Sequence, residues 1–170
     1  MGGMMPTAEQ VQQLPAQIRM AVPEEYLDGN GHMTTMRYVA TAGEAMGVLW
    51  TEVGMGWANH RRHGRSGFML EQHLRYLAEL VEGQTFSAHS RLLDKSDKVL
   101  HSMVFLLDVP ARRVAFTAEM VAICMDLESR RPAAFPDHVA DALDRSLAQH
   151  RALSWDAPAA GHLGIRAASS

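Results

Sequence analysis

A single cysteine, Cys124, occurs in the whole sequence. No disulfide can form within one chain, which excludes a disulfide-stapled scaffold. The surroundings of that thiol, Val121-Ala122-Ile123-Cys124-Met125, have the composition of a buried strand, so it is expected to pack rather than react. Long hydrophobic runs are missing too. Nothing approaches the ~18 consecutive apolar residues of a membrane helix. Met1 to Gln13 lacks the basic start and apolar stretch of a signal peptide, so a cytoplasmic protein with no membrane partner is expected. There is no excess of positive charge: the net charge of −3 gives no reason to expect a nucleic-acid partner. Nine histidines are present, but none falls in a tight ligand spacing such as His-Glu-x-x-His. No metal and no cofactor are expected. What remains is an ordinary globular balance, 47% hydrophobic and 21% charged, at a length that favours one core.

The apolar residues place the elements. Gln17 to Val22 alternates polar and apolar and reads as a short half-buried strand ended by Pro23. A run of turn formers follows, with Asp28, Gly29, Asn30 and Gly31 in succession. Met36, Val39, Gly43, Met46, Leu49, Trp50 and Val53 then recur at spacings of three and four, the pattern of a long helix. Thr34 or Thr35 can cap its start and Gly54 can stop it. The opposite side carries Ala40, Ala42, Ala45 and Val48, so a sheet is expected to wrap around this helix. After a polar loop, His60 to Gly67, strands are predicted near Phe68–Tyr76, Thr85–Asp94, Lys98–Asp108 and Arg113–Asp126. The third of these is apolar on both faces, as in a central strand. A terminal helix is predicted over Asp137–Arg151. The domain expectation is a flexible start at residues 1–16, one domain over 17–153 and a loosely ordered tail over 154–170. Pairing with a second copy would close the sheet's free edge, so a homodimer or a dimer of dimers is expected.

An aspartate in a glycine-rich turn is ordinarily structural, because its side chain bonds nearby backbone N–H groups. The full string here is more particular. Asp28-Gly29-Asn30-Gly31-His32-Met33, with Tyr38 ten residues after the aspartate, resembles the signature of the 4-hydroxybenzoyl-CoA thioesterase-like branch of the hotdog superfamily. Further blocks resemble its betainyl-CoA thioesterase-like group, enzymes of carnitine breakdown. These are Glu71-Gln72-His73-Leu74, Leu92-Leu93-Asp94-Lys95, Lys98-Val99-Leu100-His101 and Ala118-Glu119-Met120, and together the blocks cover roughly residues 17 to 150. Gly29 stands where an aromatic is common, Cys124 falls near a position that is often His, and the His60 to Arg65 loop differs. The resemblance implies an α+β hotdog fold, a curved antiparallel sheet around one long helix. It also implies an acyl-CoA thioesterase acting on betainyl-CoA or another short or polar acyl group.

On that resemblance, Asp28 either attacks the thioester carbonyl or deprotonates the attacking water. Thioester hydrolysis also needs donors for the developing oxyanion. The start of the long helix offers unpaired N–H groups and a partial positive potential, and Gly31 permits close approach. Backbone N–H groups near Gly31 to Met33 are expected to polarise the carbonyl, with Asn30 and His32 shaping the turn.

Other candidates are weaker. Glu71 and His73, two apart on one strand, share a face; they either line the acyl pocket or make structural contacts, for instance with Arg75. A quaternary ammonium would want aromatic or carboxylate walls, for which Tyr38, Trp50 and Trp57 are candidates. Glu44, mid-helix, is a reserve carboxylate, and Glu119 reads as structurally paired. Arg61, Arg62 and Arg65 belong to a basic loop that is either solvated or contacts CoA phosphates, with Lys95 and Lys98 as alternative phosphate partners. An acyl-carrier-protein thioesterase and a non-catalytic acyl-CoA-binding protein stand as alternatives. A hotdog dehydratase is disfavoured, since no histidine lies between Tyr38 and Val53.

Overall fold

The computed structural model describes residues 3–165, the side chains of residues 59–61 excepted. Its strands are β1 (Ala16–Ala21), β2 (Arg65–Tyr76), β3 (Thr85–Lys95), β4 (Val99–Asp108) and β5 (Arg113–Asp126). They form one antiparallel sheet in the order β1-β3-β4-β5-β2. Among the described residues four α-helices accompany them: α1 (Ala8–Val11), α2 (Thr35–Glu52), α3 (Trp57–His63) and α4 (Asp137–Arg151), with a 3-10 turn at Glu24–Tyr26.

The long helix forms where its apolar spacing requires. Thr34 caps α2 by accepting the Arg37 N–H at 3.3 Å, and Gly54, at φ +87°, supplies the left-handed residue that ends it. The buried face runs through Tyr38, Ala42, Ala45, Met46, Leu49 and, just past the helix end, Val53. Met36, expected on that face, is 74% exposed. The helix is rotated because the sheet accepts the small residues Ala42 and Ala45, which let the backbones approach. Phe86, Ala88 and Leu92 of β3, Leu100, Val104 and Leu106 of β4, and Phe116, Ala118 and Met120 of β5 meet it from the sheet. Gly67 of β2 makes room at the edge: a Cβ there would lie 3.1 Å from the Trp50 ring.

The other face of the sheet is buried as well. Met103, Phe105 and Leu107 of β4 point away from α2 into a second cluster with Ala8, Val11, Leu14 and Trp155. This explains why β4 is apolar on both faces. The cover comes from the two stretches expected to be loose. α1 carries a capping box between Thr7 and Gln10, and Trp155 donates to Gln13 Oε1 at 3.1 Å while the Arg91 guanidinium lies 4.1 Å over its ring. The expected loop from His60 to Gly67 is instead divided between α3 and the start of β2. The ladder extends back to Arg65, which pairs with Asp126 across β5.

Phe116, fully buried against Tyr38 and Tyr76, joins α2 to the sheet. Phe116→Ala is expected to cost about 3–5 kcal/mol, read as a lowered urea midpoint at unchanged m-value.

Candidate active site

The turn from Leu27 to Met33 is closed by its own backbone. Asp28 donates its N–H to His32 O at 3.0 Å, Gly31 donates to Asp28 O at 3.0 Å, and Leu27 and Met33 bridge. Gly31 sits at φ +81°, a conformation that a side chain would strain. Asp28 Oδ1 accepts the Asn30 N–H at 2.8 Å. That backbone donor foremost, with the nearby His32 imidazole, holds the Asp28 carboxyl below the usual carboxylate range although partial burial opposes the shift. Asp28 Oδ2 faces His32 Nδ1 at 3.7 Å, and His32 Nε2 lies 4.0 Å from Glu79 Oε1. His32 therefore stands between two carboxylates.

The chain leads from this turn straight into α2. The N–H groups expected to polarise a carbonyl are partly used: Gly31 N–H goes to Asp28 O, and Met33 N–H to Leu80 O at 2.8 Å. Arg37 N–H is taken by Thr34. The first-turn N–H groups of Thr35 and Met36 have no intrahelical acceptor. Tyr38 does not offer its hydroxyl to a ligand. It donates to Ala78 O at 3.1 Å and accepts from Leu80 N–H at 2.9 Å, fastening the segment after β2 to the helix. A cavity of about 280 Å³ lies between these parts. His32, Met33 and Thr35 line one side, and Tyr38, Tyr76 and Glu79 the other.

Tyr76 and Glu79 were not singled out from the sequence. They lie at and just beyond the end of a strand, in a gap without motif or periodicity.

The remaining candidates lie elsewhere in the chain. Glu71 and His73 do share a face, but it is the face turned away from α2. His73 pairs in register with Glu119, one residue from the inward Ala118. The His73 ring stands edge-on to His162, and Glu119 is buried, accepting from His101 at 2.8 Å and from Ala160 N–H at 2.7 Å. Arg65 opens β2, eleven residues and roughly 36 Å of strand from Tyr76, and pairs with Asp126. Arg62 and Lys98 are exposed; Lys98 adjoins Glu71 around a second cavity of about 590 Å³. Lys95 pairs with Asp144. The Arg61 side chain lies outside the described residues. Glu44 is exposed on α2. Trp50 packs on Phe135, and Trp57 is 87% exposed. Cys124 is fully buried, and burial pushes its thiol up to about 11, which keeps it protonated. No group of three or more metal-ligating side chains occurs among the described residues, and no helix among them is long and apolar enough to cross a membrane.

Residues 22–143 match the sequence profile of the thioesterase-like superfamily. A protein of Agrobacterium fabrum named L-carnitine dehydrogenase/betainyl-CoA thioesterase is 33% identical over 141 residues, 83% of this chain and 29% of its own length. The chain thus spans less than a third of such two-activity relatives. The betainyl-CoA thioesterase of Pseudomonas aeruginosa is 29% identical over 129 residues, 76% of this chain and 81% of that protein. Among solved structures, a Staphylococcus aureus protein in complex with CoA superposes with a TM-score of 0.80 at 21% identity, covering 90% of this chain and 97% of that one. The 1,4-dihydroxy-2-naphthoyl-CoA thioesterase of Synechocystis gives 0.67 at 14% identity, over 75% and 93%. These likenesses show the hotdog fold.

The Asp28 hydrogen bonds set a titration. A depressed folded-state value means that the ionised group stabilises the turn above about pH 4, a contribution lost as the pH falls through the lowered value. The carboxyl carbon of Asp28, followed by NMR, is expected to titrate below the range of an ordinary aspartate. Because the main donor is a backbone N–H, Asn30→Ala should shrink the depression without abolishing it.

Proposed function

Because the chain belongs to the thioesterase-like superfamily, we propose that it is an acyl-CoA thioesterase whose working carboxylate is Asp28. The observation that carries this reading is the juxtaposition at the start of α2. An ionised carboxylate is held in a closed turn that leads into α2, whose first two N–H groups lack intrahelical acceptors, and His32, 3.7 Å from that carboxylate, lines the adjoining cavity. A carbonyl seated there meets a nucleophile on one side and oxyanion donors on the other.

Asp28 attacks the thioester carbonyl carbon, the carbon–sulfur bond breaks, and CoA leaves as the thiolate. Water then hydrolyses the mixed anhydride, releasing the carboxylic acid and restoring Asp28. The lowered range of the Asp28 carboxyl keeps it ionised at neutral pH, the form needed both for direct attack and for activation of water. The named relatives support betainyl-CoA as the acyl donor.

The working unit is a homodimer joined through β2. That strand is a sheet edge of twelve residues, and its middle presents Met69 at 45% and Leu70 at 55% exposure. An edge so long and so apolar invites a second strand. Antiparallel pairing of β2 with its copy brings the Arg65 end of one chain to the Tyr76 end of the other. The basic residues Arg62, Arg65 and Lys98 of one copy then lie within reach of a CoA whose acyl group sits beside Asp28 of its partner, with Glu71 and His73 flanking the seam.

Free-CoA release across an acyl-CoA panel that includes betainyl-CoA tests the assignment. Asp28→Asn should lower kcat by at least about a hundredfold while the fold and substrate binding persist; undiminished turnover removes Asp28 from its role. Light scattering after gel filtration should return twice the chain mass at micromolar concentration. A monomer there contradicts the shared site.

A further inference from the structure

The cavity beside Asp28 has a composition that hydrolysis alone does not call for. Two tyrosine rings, Tyr38 and Tyr76, meet edge to face at 5.6 Å, and both rest on Phe116 at 5.3 and 5.0 Å. Their hydroxyls are already committed: Tyr38 to Ala78 and Leu80, Tyr76 to Thr35 O at 3.4 Å. The rings, not the hydroxyls, are what these residues offer. Glu79 adds a carboxylate to the same wall, and no lysine or arginine lines the cavity among the described residues. The Glu79 charge reaches the aromatic wall: the Tyr38 phenol is pushed up by burial foremost and by Glu79 as well. A space of about 280 Å³ is at the small end for ligand sites, so it suits a short acyl head and not a long chain.

The faces of aromatic rings, and a carboxylate with no lysine or arginine beside it in the lining, attract positive charge and repel negative charge. We infer that this cavity is the acyl-head subsite and that it reads a cation, with Tyr76 supplying the ring and Glu79 the charge that select a quaternary ammonium over a neutral head of the same shape. A purely hydrocarbon acyl group would have no use for Glu79. The placement differs from the tryptophan walls expected from the sequence, since Trp50 packs against Phe135 and Gly67, away from this cavity. His32 is the one other titratable group in the lining; it sits between Asp28 and Glu79 and couples the subsite to the reacting carboxylate. The inference rests on the thioesterase reading above.

The decisive comparison is betainyl-CoA against 3,3-dimethylbutanoyl-CoA, whose tert-butyl head has the shape of trimethylammonium without its charge. Steady-state kinetics of the full chain should show a higher kcat/KM for the cationic thioester. Glu79→Gln and Tyr76→Leu should each lower the cationic-to-neutral ratio about fivefold, chiefly through KM for the cationic thioester. Glu79 is 73% exposed, so its replacement spares the fold. A wild type without preference, or variants that slow both substrates equally, overturns the inference while leaving the thioesterase reading in place. Calorimetry with the non-hydrolysable thioether analogues of both compounds separates the two ideas. If neither thioester turns over but the cationic thioether binds more tightly in a Glu79-dependent way, the subsite stands and the hydrolase reading falls. If neither thioether binds, both fall.

Discussion

A buried phenol that both donates to Ala78 O and accepts from Leu80 N–H leaves the segment after β2 no freedom relative to α2. Everything at the candidate site hangs from that fastening. The same segment gives Leu80 O to Met33 N–H and pairs Val81 with His32, so the Asp28 turn is fixed through it to the helix and the sheet. The hydroxyl is costly to lose because the buried Leu80 N–H would be left without its acceptor and the half-buried Ala78 carbonyl without this donor. Tyr38 thus positions the site through the backbone, and its ring is the part that faces the cavity.

The sheet divides its labour between its two faces. The face toward α2 holds the main core and, at one end, the carboxylate, the helix start and the aromatic cavity. The outward face is covered in part by α1 and by residues around Trp155, and two groups of its polar residues are tied up by hydrogen bonds. His101, Glu119 and the Ala160 N–H form one such group, and His89 lies between Ser87 and Leu14 O. Placing chemistry on one face and closure on the other leaves β2 as the long open edge, which is why the proposed dimer runs through it.

Much of this was legible in the residues. The start of β5 follows from the turn material Pro110-Ala111-Arg112 and the start of α4 from the Pro136 break, and the cap at Thr34 and stop at Gly54 follow from local backbone chemistry. The Asp28 turn was conspicuous because six consecutive residues combine turn formers with groups able to do chemistry. What escaped has identifiable physical causes. Met36 fits the helical period as well as Tyr38 does, and only the sheet's shape decides which is buried. The Tyr76–Glu79 wall has no periodicity to notice, being irregular chain held by hydrogen bonds to a residue some forty positions earlier. Glu71 and His73 were correctly placed together, but no one-dimensional pattern tells which side of the sheet a pair faces. The packed ends were missed because short segments bury few residues each and therefore leave weak signals.

On the proposed function, a thioester carbonyl seats between the Asp28 carboxylate and the first turn of α2. A crystal structure of Asp28→Asn with intact betainyl-CoA tests it most directly. The account predicts the carbonyl oxygen about 3 Å from the Thr35 or Met36 N–H, the carbonyl carbon about 3.5 Å from the residue-28 side chain, and the trimethylammonium against Tyr76 and Glu79. An acyl group bound on the outward face of the sheet, or a carbonyl turned away from the helix start, would contradict it.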